Sequence, residues 1–284
     1  MNKVNLLLMM LLVSAFSIRS GAQTRPMRIV STTLVTDEVA AGLVESSRIV
    51  AMSRFSANPE VSNVSDIAKK INVFVDRDPE RIVRLQPDMV LTTRYSTVDL
   101  KFLMQQTGIR YLEWTQFETI EDIQSNIRSV GQAVNEVKRA EDVIREMNRK
   151  LQAASQQTVP ARRAWRVLCL APGDWTAGTR TTRHELIRSA GLKNAAAEAG
   201  IAGNNKISPE KIIQLDPDVI LIGTGYEEDA NFREMLLRDP RFSTLKAVRS
   251  RRILALPQRY VVTASQFIAD AALELSRRIN ALPD

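Results

Sequence analysis

One short segment occurs twice in this chain. PERIVRLQPDMVL (residues 79–91) returns about 130 residues later as PEKIIQLDPDVIL (residues 209–221), with roughly half the positions identical and most of the others conservative. Each copy has the same local grammar. A proline opens a helix at a position where its missing N–H is not needed. A glutamate follows in the first turn, where a carboxylate complements the helix dipole. A Pro-Asp pair then ends the helix ahead of an apolar run that reads as a buried strand. One helix–turn–strand unit repeated in a chain of 284 residues predicts two similar lobes with a cleft between them.

The rest of the sequence extends that pattern. Short runs rich in β-branched residues at 28–31, 48–52, 89–92, 110–114, 166–170, 219–222 and 253–256 read as strands. Helical patterns fall between and after them at 36–43, 79–85, 98–106, 183–190, 209–215, 231–238 and 263–280. Alternation of this kind predicts α/β architecture with mostly parallel sheets. Between 119 and 157 no strand is expected. Thr119 and Asp122 have capping-box spacing, and from about Glu136 a stripe of Val137, Ala140, Ile144, Met147, Leu151 and Ala154 repeats at helical period. A helix of that length reaches roughly 30 Å and acts as a strut. The expected divisions are 23–118 for the first lobe, 119–157 for the helical segment with the bridging helix, and 158–284 for the second lobe.

Residues 1–22 read as a cleavable secretory leader, with Lys3, an apolar run from Leu6 to Phe16, and small residues up to Ala22. That places the mature protein in the periplasm. Cysteine is used once, at Cys169 inside an apolar run, so no internal disulfide can form and no cysteine stands near the cleavage point for lipid anchoring. The net charge is +7 with the basic residues scattered, which gives no basic stripe for nucleic acid. A single histidine, His184, has no evident Ser or Cys partner and leaves bare zinc or manganese without its usual ligands. Neither Gly173–Gly178 nor Gly223–Glu228 completes a phosphate-loop or dinucleotide motif. The sequence thus predicts a binding protein, monomeric and without a cofactor of its own, in preference to an enzyme.

On these residues the chain resembles the iron-siderophore/vitamin B12 class of periplasmic binding proteins. The resemblance rests on RIVSTTLVTDEVAAGL after the leader, on both repeated segments, and on FSTLKAVRSRRILALP before a C-terminal helix, and it covers essentially the whole mature chain. It implies two Rossmann-like lobes joined by one long rigid helix, and delivery of a ferric siderophore or cobalamin to the permease dimer and ATPase of an ABC importer. It also implies that Glu80 and Glu210, one on each lobe, dock onto the permease. A haem-binding member, and a periplasmic sensor or adaptor of the same fold, are the alternatives.

In such folds ligands bind near the carboxyl ends of the parallel strands. The residues that follow strands are therefore the expected ligand contacts: Arg94, Tyr95, Trp114, Trp175, Arg180, Tyr226, Arg259 and Tyr260, with Thr32, Thr33 and Thr93 nearby. Aromatics interleaved with arginines suit a large, flat, partly apolar ligand that carries negative charge. Arg259 stands where the cobalamin-binding members carry an acidic residue, which tilts the resemblance toward an anionic ferric chelate. A tyrosine such as Tyr95, Tyr226 or Tyr260 supplies the axial oxygen that haem would need.

Overall fold

The structure, a computed structural model, describes residues 25–75, 78–95, 98–226 and 231–283. The expected leader lies outside the described residues. The first sheet has the order β3-β2-β1-β4-β5, built from β1 (Ile29–Ser31), β2 (Ile49–Ser53), β3 (Phe74–Val75), β4 (Met89–Thr93) and β5 (Arg110–Trp114), all parallel. The second has the order β11-β10-β6-β7-β9, from β6 (Arg166–Ala171), β7 (Trp175–Ala177), β9 (Asn204–Lys206), β10 (Val219–Thr224) and β11 (Ile253–Pro257), with β8 (Lys193–Asn194) also paired to β6. All seven expected strands are present. The four that sequence reading missed are β3, β7, β8 and β9, each two or three residues long and too short to show a period.

Helices α1 (Leu34–Leu43), α2 (Ser65–Ile71), α3 (Pro79–Arg84) and α4 (Val98–Thr107) belong to the first lobe. Two central helices follow, α5 (Ile120–Ala133) and α6 (Val137–Gln157). Around the second sheet lie α7 (Thr182–Ser189), α8 (Ala195–Glu198), α9 (Pro209–Leu215), α10 (Phe232–Arg238), α11 (Lys246–Arg249), α12 (Gln258–Val261) and α13 (Ile268–Asn280). The capping box expected at Thr119 and Asp122 opens α5. The last helix is shorter than its sequence pattern, which began at 263. Thr263 and Ser265 turn their hydroxyls away to a carboxylate of the first lobe, and α13 starts only after them.

The repeat owes its similarity to a clasp made once in each lobe. Asp88 accepts hydrogen bonds from the N–H groups of Met27 and Arg28, at 2.9 and 3.1 Å, where β1 begins. Asp218 accepts from the N–H of Arg166 at 2.8 Å, where β6 begins. The two arginines then close the ring. Arg28 donates to the carbonyls of Leu85 and Gln86, and Arg166 donates to that of Leu215. Helix end, aspartate and neighbouring strand are thereby locked in register, with β4 beside β1 and β10 beside β6. The Pro-Asp pair thus orders a sheet as well as ending a helix.

The strut is real, and α13 braces it. Ala140, Ile144 and Met147 of α6 lie in the core of the first lobe, Ala154 lies in that of the second, and Leu151 packs against both. Helix α13 crosses in the same way. Ile268 and Ala269 enter the first core, while Ala271, Ala272, Leu275 and Ile279 enter the second. A paired span of this kind resists bending because either helix would have to pull side chains out of two close-packed cores. Fully buried Arg48 ties β2 to the α5–α6 turn, donating to Glu136 at 2.6 Å, to the Val134 carbonyl at 2.7 Å and to the Pro26 carbonyl at 2.8 Å. Beside that turn, a Cβ on Gly131 would stand only 2.5 Å from the Cβ of Ala140. Gly131→Ala should therefore destabilise the protein by about 1–3 kcal/mol through overpacking, although alanine is the better helix former by about 1 kcal/mol. Urea unfolding midpoints of the two proteins check this.

Candidate functional site

The carboxyl ends of the two sheets face one another. Residues 58–63 follow β2 through the short turn Arg54–Ala57, and Gly225 and α12 follow β10 and β11. These segments touch. The Arg259 N–H donates to the Glu60 carbonyl at 3.0 Å, its guanidinium donates to the Pro59 carbonyl at 2.7 Å, and Asn63 donates to the Arg259 carbonyl at 2.9 Å. Gly225, with φ at +129°, approaches so closely that a Cβ would lie 2.9 Å from that of Glu60.

On the first lobe this rim encloses a cavity of about 530 Å³. Its apolar walls are Leu34 and Val35 at the start of α1, Phe55 and Val75, and Tyr95, Leu100 and Phe117. The hydroxyl-bearing residues Thr32, Thr33, Ser53, Thr92 and Thr93 line it as well, at the ends of β1, β2 and β4. The Thr93 hydroxyl is buried and has no hydrogen-bond partner among the described residues. Phe55 and Tyr95 are 60% and 56% exposed, an arrangement that leaves two large rings open to a ligand. Arg94 shapes this edge. Its guanidinium donates to the Tyr95 hydroxyl at 3.2 Å, pairs with Glu118 at 2.5 Å, and lies over the rings of both Tyr95 and Phe117 at about 5 Å.

Two adjacent buried carboxylates hold the walls together. Asp37 accepts from the Ser53 N–H at 3.1 Å, from the Ser53 hydroxyl at 2.5 Å and from the Ser56 hydroxyl. It thereby fixes the turn that carries Arg54 and Phe55 against the start of α1. Burial pushes its carboxyl up to about 7, although the hydrogen bonds from Ser31, Ser53 and Ser56 oppose the rise. Glu38 works between the lobes. It accepts from Asn63, from Ser265 at 2.6 Å and from Thr263 at 2.9 Å, while Gln266 donates to its backbone carbonyl at 2.7 Å. Burial raises its carboxyl too.

The second lobe has its own pocket of about 300 Å³ at the end of β6, lined by Cys169, Ala171, Trp175, Thr176, Ala177, Arg183 and Asn204. Trp175 is therefore at a pocket surface, as Tyr95 is. Tyr226 stands 43% exposed just past β10. Other expected contacts fall elsewhere. Trp114 is 2% exposed, packed with Ile123 and Ile127 because α5 covers its face of β5. Arg180 sits exposed at φ +58° in the turn before α7 and lines neither pocket, whereas Arg183, in the first turn of α7, does. Arg259 is held at the lobe junction, and Tyr260 is half-buried beneath it against the second core. Sequence reading missed Phe55, Phe117, Arg183 and Asn204. Phe55 and Phe117 had a local signal, since each lies three residues past an expected strand.

Residues 29–260 match the periplasmic binding protein family. The chain belongs to that family. It is a periplasmic solute-binding protein, and its fold is that of the metal-chelate receptors among them. A substrate-binding lipoprotein of an ABC transporter from Bacillus subtilis, itself uncharacterised, is 24% identical over 89% of this chain and 80% of its own length. Two solved structures show the same fold. A possible iron-binding periplasmic solute-binding protein from Staphylococcus epidermidis has a TM-score of 0.76 at 19% identity, covering 90% of this chain and 99% of that one. The haem-binding protein RhuT from Roseiflexus sp. RS-1 has a TM-score of 0.73 at 24% identity, covering 89% and 98%.

In this solute-binding protein the two glutamates of the repeat occupy matching places. Glu80 and Glu210 are exposed in the first turns of α3 and α9, which lead into the interior strands β4 and β10. A helix that feeds a parallel strand runs back across the sheet, so its first turn lies at the carboxyl rim, the rim of the cleft. Glu210 is held below the usual carboxylate range by its own N–H, with Ser208 and Arg241 adding to the effect. The helix caps differ, Asp78 in one copy and Ser208 in the other. His184 is half-buried in α7 beside Asn194, with no nucleophile in contact among the described residues, and burial lowers its pKa. Among the described residues no group of three or more His, Cys, Asp or Glu could hold a metal ion, and no helix is long and apolar enough to cross a membrane.

Asp37 makes the stability depend on pH in a defined direction. Its carboxyl ionises near 3.8 in the unfolded chain and near 7 in the folded one, so the stabilising effect is complete below about pH 4 and is lost as pH rises to about 7. The full loss is about 4 kcal/mol. Glu38 shifts in the same sense. The melting temperature should be higher at pH 5 than at pH 8, and Asp37→Asn should shrink that difference, as scanning calorimetry at both values would record.

Proposed function

We propose that this protein captures a metal chelate with an extended apolar face and delivers it to an ABC importer. The observation that carries the reading is the cavity at the carboxyl rim of the first lobe. Its walls are mostly apolar, and two open rings, Phe55 and Tyr95, stand at its lip. A small polar solute would leave such walls wet, whereas a ferric siderophore, a corrinoid or a haem would cover them. The related transporter lipoprotein supports the importer role, and the iron- and haem-binding structures support this class of cargo. Haem has one specific point in its favour. The Tyr95 phenol lies at the cavity edge with a guanidinium donating to its oxygen, the kind of oxygen that can ligate haem iron.

The rest of the reading follows from shape. A span of two helices permits limited closure of the lobes over the cargo. Glu80 and Glu210, held apart by a rigid body, present two fixed negative charges to a permease dimer, which favours orientation and association rate. The role is capture and not catalysis. We read residues 1–22 as a secretory leader and the mature protein as free in the periplasm, since the one cysteine, Cys169, is buried in β6.

Titration with haemin, cyanocobalamin and several ferric siderophores, followed by tryptophan fluorescence, tests the cargo. Saturable quenching at micromolar concentration or below is expected with one of them, and failure of all would refute the reading. If haemin binds, Tyr95→Phe should abolish its ligand-induced Soret shift. Glu80→Arg with Glu210→Arg should leave ligand affinity within about twofold and lower uptake by about tenfold or more. Unchanged uptake would reject the docking role.

A further inference from the structure

We infer that the amino-terminal rim of the second sheet is an electrostatic docking face for an anionic phospholipid bilayer. This rim lies at the opposite end of the lobe from the cleft, so a molecule held by it keeps its cleft open to solvent. The inference goes beyond the solute-binding reading and needs no cargo for its test.

Topology collects the cations. Strands β6, β8, β10 and β11 run parallel, so the residues that precede them share the rim away from their carboxyl ends. Arg163 stands just before β6, Lys193 opens β8, and Arg249, Arg251 and Arg252 lead into β11. Arg233 and Arg238 of α10 meet Arg251 in one hollow of about 360 Å³. Arg252 joins the two groups, since its guanidinium lies 4.5 Å from the centre of the Trp165 ring, at the start of β6.

The acids at this rim are already engaged. Glu234 pairs with Arg233 at 3.4 Å, Asp216 with Lys246 at 3.3 Å, and Glu198 with Arg166 at 2.8 Å, while Asp218 accepts from the Arg166 N–H. Arg163, Lys193, Arg238, Arg249, Arg251 and Arg252 are left without a carboxylate partner among the described residues. All of these but half-buried Arg252 are exposed. Arg163 and Arg252 donate to the carbonyls of Thr158 and Pro283, which fixes their position and leaves their charge uncancelled. Helix dipoles account for Arg238 and Arg249, in the last turns of α10 and α11. They do not account for Arg163, Arg251 and Arg252, which stand outside the α-helices. Arg251 even holds φ at +53°, a left-handed position where glycine or asparagine is the usual choice.

Six cations spread along one rim suit an extended charged surface better than a small anion, which could meet only two or three of them. An anionic bilayer is such a surface. Each Lys or Arg brought against it adds about fivefold in affinity, and the attraction acts within a Debye length of about 10 Å. Glu80 and Glu210 lie at the other rim, so this face and the acidic knobs cannot meet one membrane together. Held by the arginines the molecule faces its cleft away from the bilayer, and released from them it is free to turn its knobs toward a permease.

Co-sedimentation with vesicles tests this at about 50 mM salt. Wild-type protein should partition onto phosphatidylcholine vesicles that contain about 40% phosphatidylglycerol, not onto pure phosphatidylcholine, and about 0.5 M salt should release it. Arg249→Gln with Arg251→Gln should weaken partitioning by about 25-fold. Lys206→Gln with Lys211→Gln removes the same charge from the cleft end and should change it by less than about twofold. No partitioning, or equal loss in the two double variants, overturns the docking face, the second outcome because net charge alone would then explain the binding. Retention on a polyglutamate column without vesicle binding would assign the rim to an acidic protein and overturn the bilayer. None of these outcomes depends on whether a chelate binds in the cleft, so the two readings fail separately.

Discussion

Met147 and Ala154 sit two turns apart on one helix, and they are buried in two different hydrophobic cores. Everything else about this molecule depends on that arrangement. Because α6 is anchored at both ends, the lobes cannot drift as they would on a flexible linker, and α13 repeats the anchorage a second time. The cleft therefore has a fixed floor. Cargo affinity can come from surfaces held near their bound positions, and little ordering cost is left to offset it.

Buried polar groups do the finer positioning around that floor. Asp37 ties the Phe55 turn to the head of α1, and Glu38 ties the first lobe to the segment between α12 and α13. Burying a carboxylate is costly unless hydrogen bonds surround it. Here each carboxylate has several donors, yet burial still dominates and raises both groups. The same interactions that shape the site therefore make it sensitive to pH. A periplasmic protein, exposed to the pH of its surroundings, would feel that sensitivity in its stability.

The repeated Pro-Asp segment shows how a local signal can mean more than it says. As sequence it is a helix stop. As structure its aspartate holds the next strand by backbone N–H groups, and an arginine from that strand returns to the carbonyls at the helix end. The same closed ring occurs in both lobes, although their helix caps differ. The ring needs the aspartate and the strand register in both lobes, whereas the residues between them take no part in it.

The sequence by itself determined the two-lobed α/β plan, the seven principal strands and the strut. These follow from periodicity, from a capping box and from a repeat, which are all properties of short stretches of chain. Tyr95 and Trp175, expected from sequence as ligand contacts, both line pockets. What the sequence could not determine was which strand-end residues face the cleft. Trp114 follows the same rule as Tyr95 but is covered by α5, and Arg180 lies one turn of backbone away from the pocket that Arg183 lines. Arg259 looked like a ligand contact and is a contact between lobes. Only the tertiary structure decides these, because the direction of a side chain at a strand end depends on the helix packed over it and on the lobe opposite. Neither of those is adjacent in sequence.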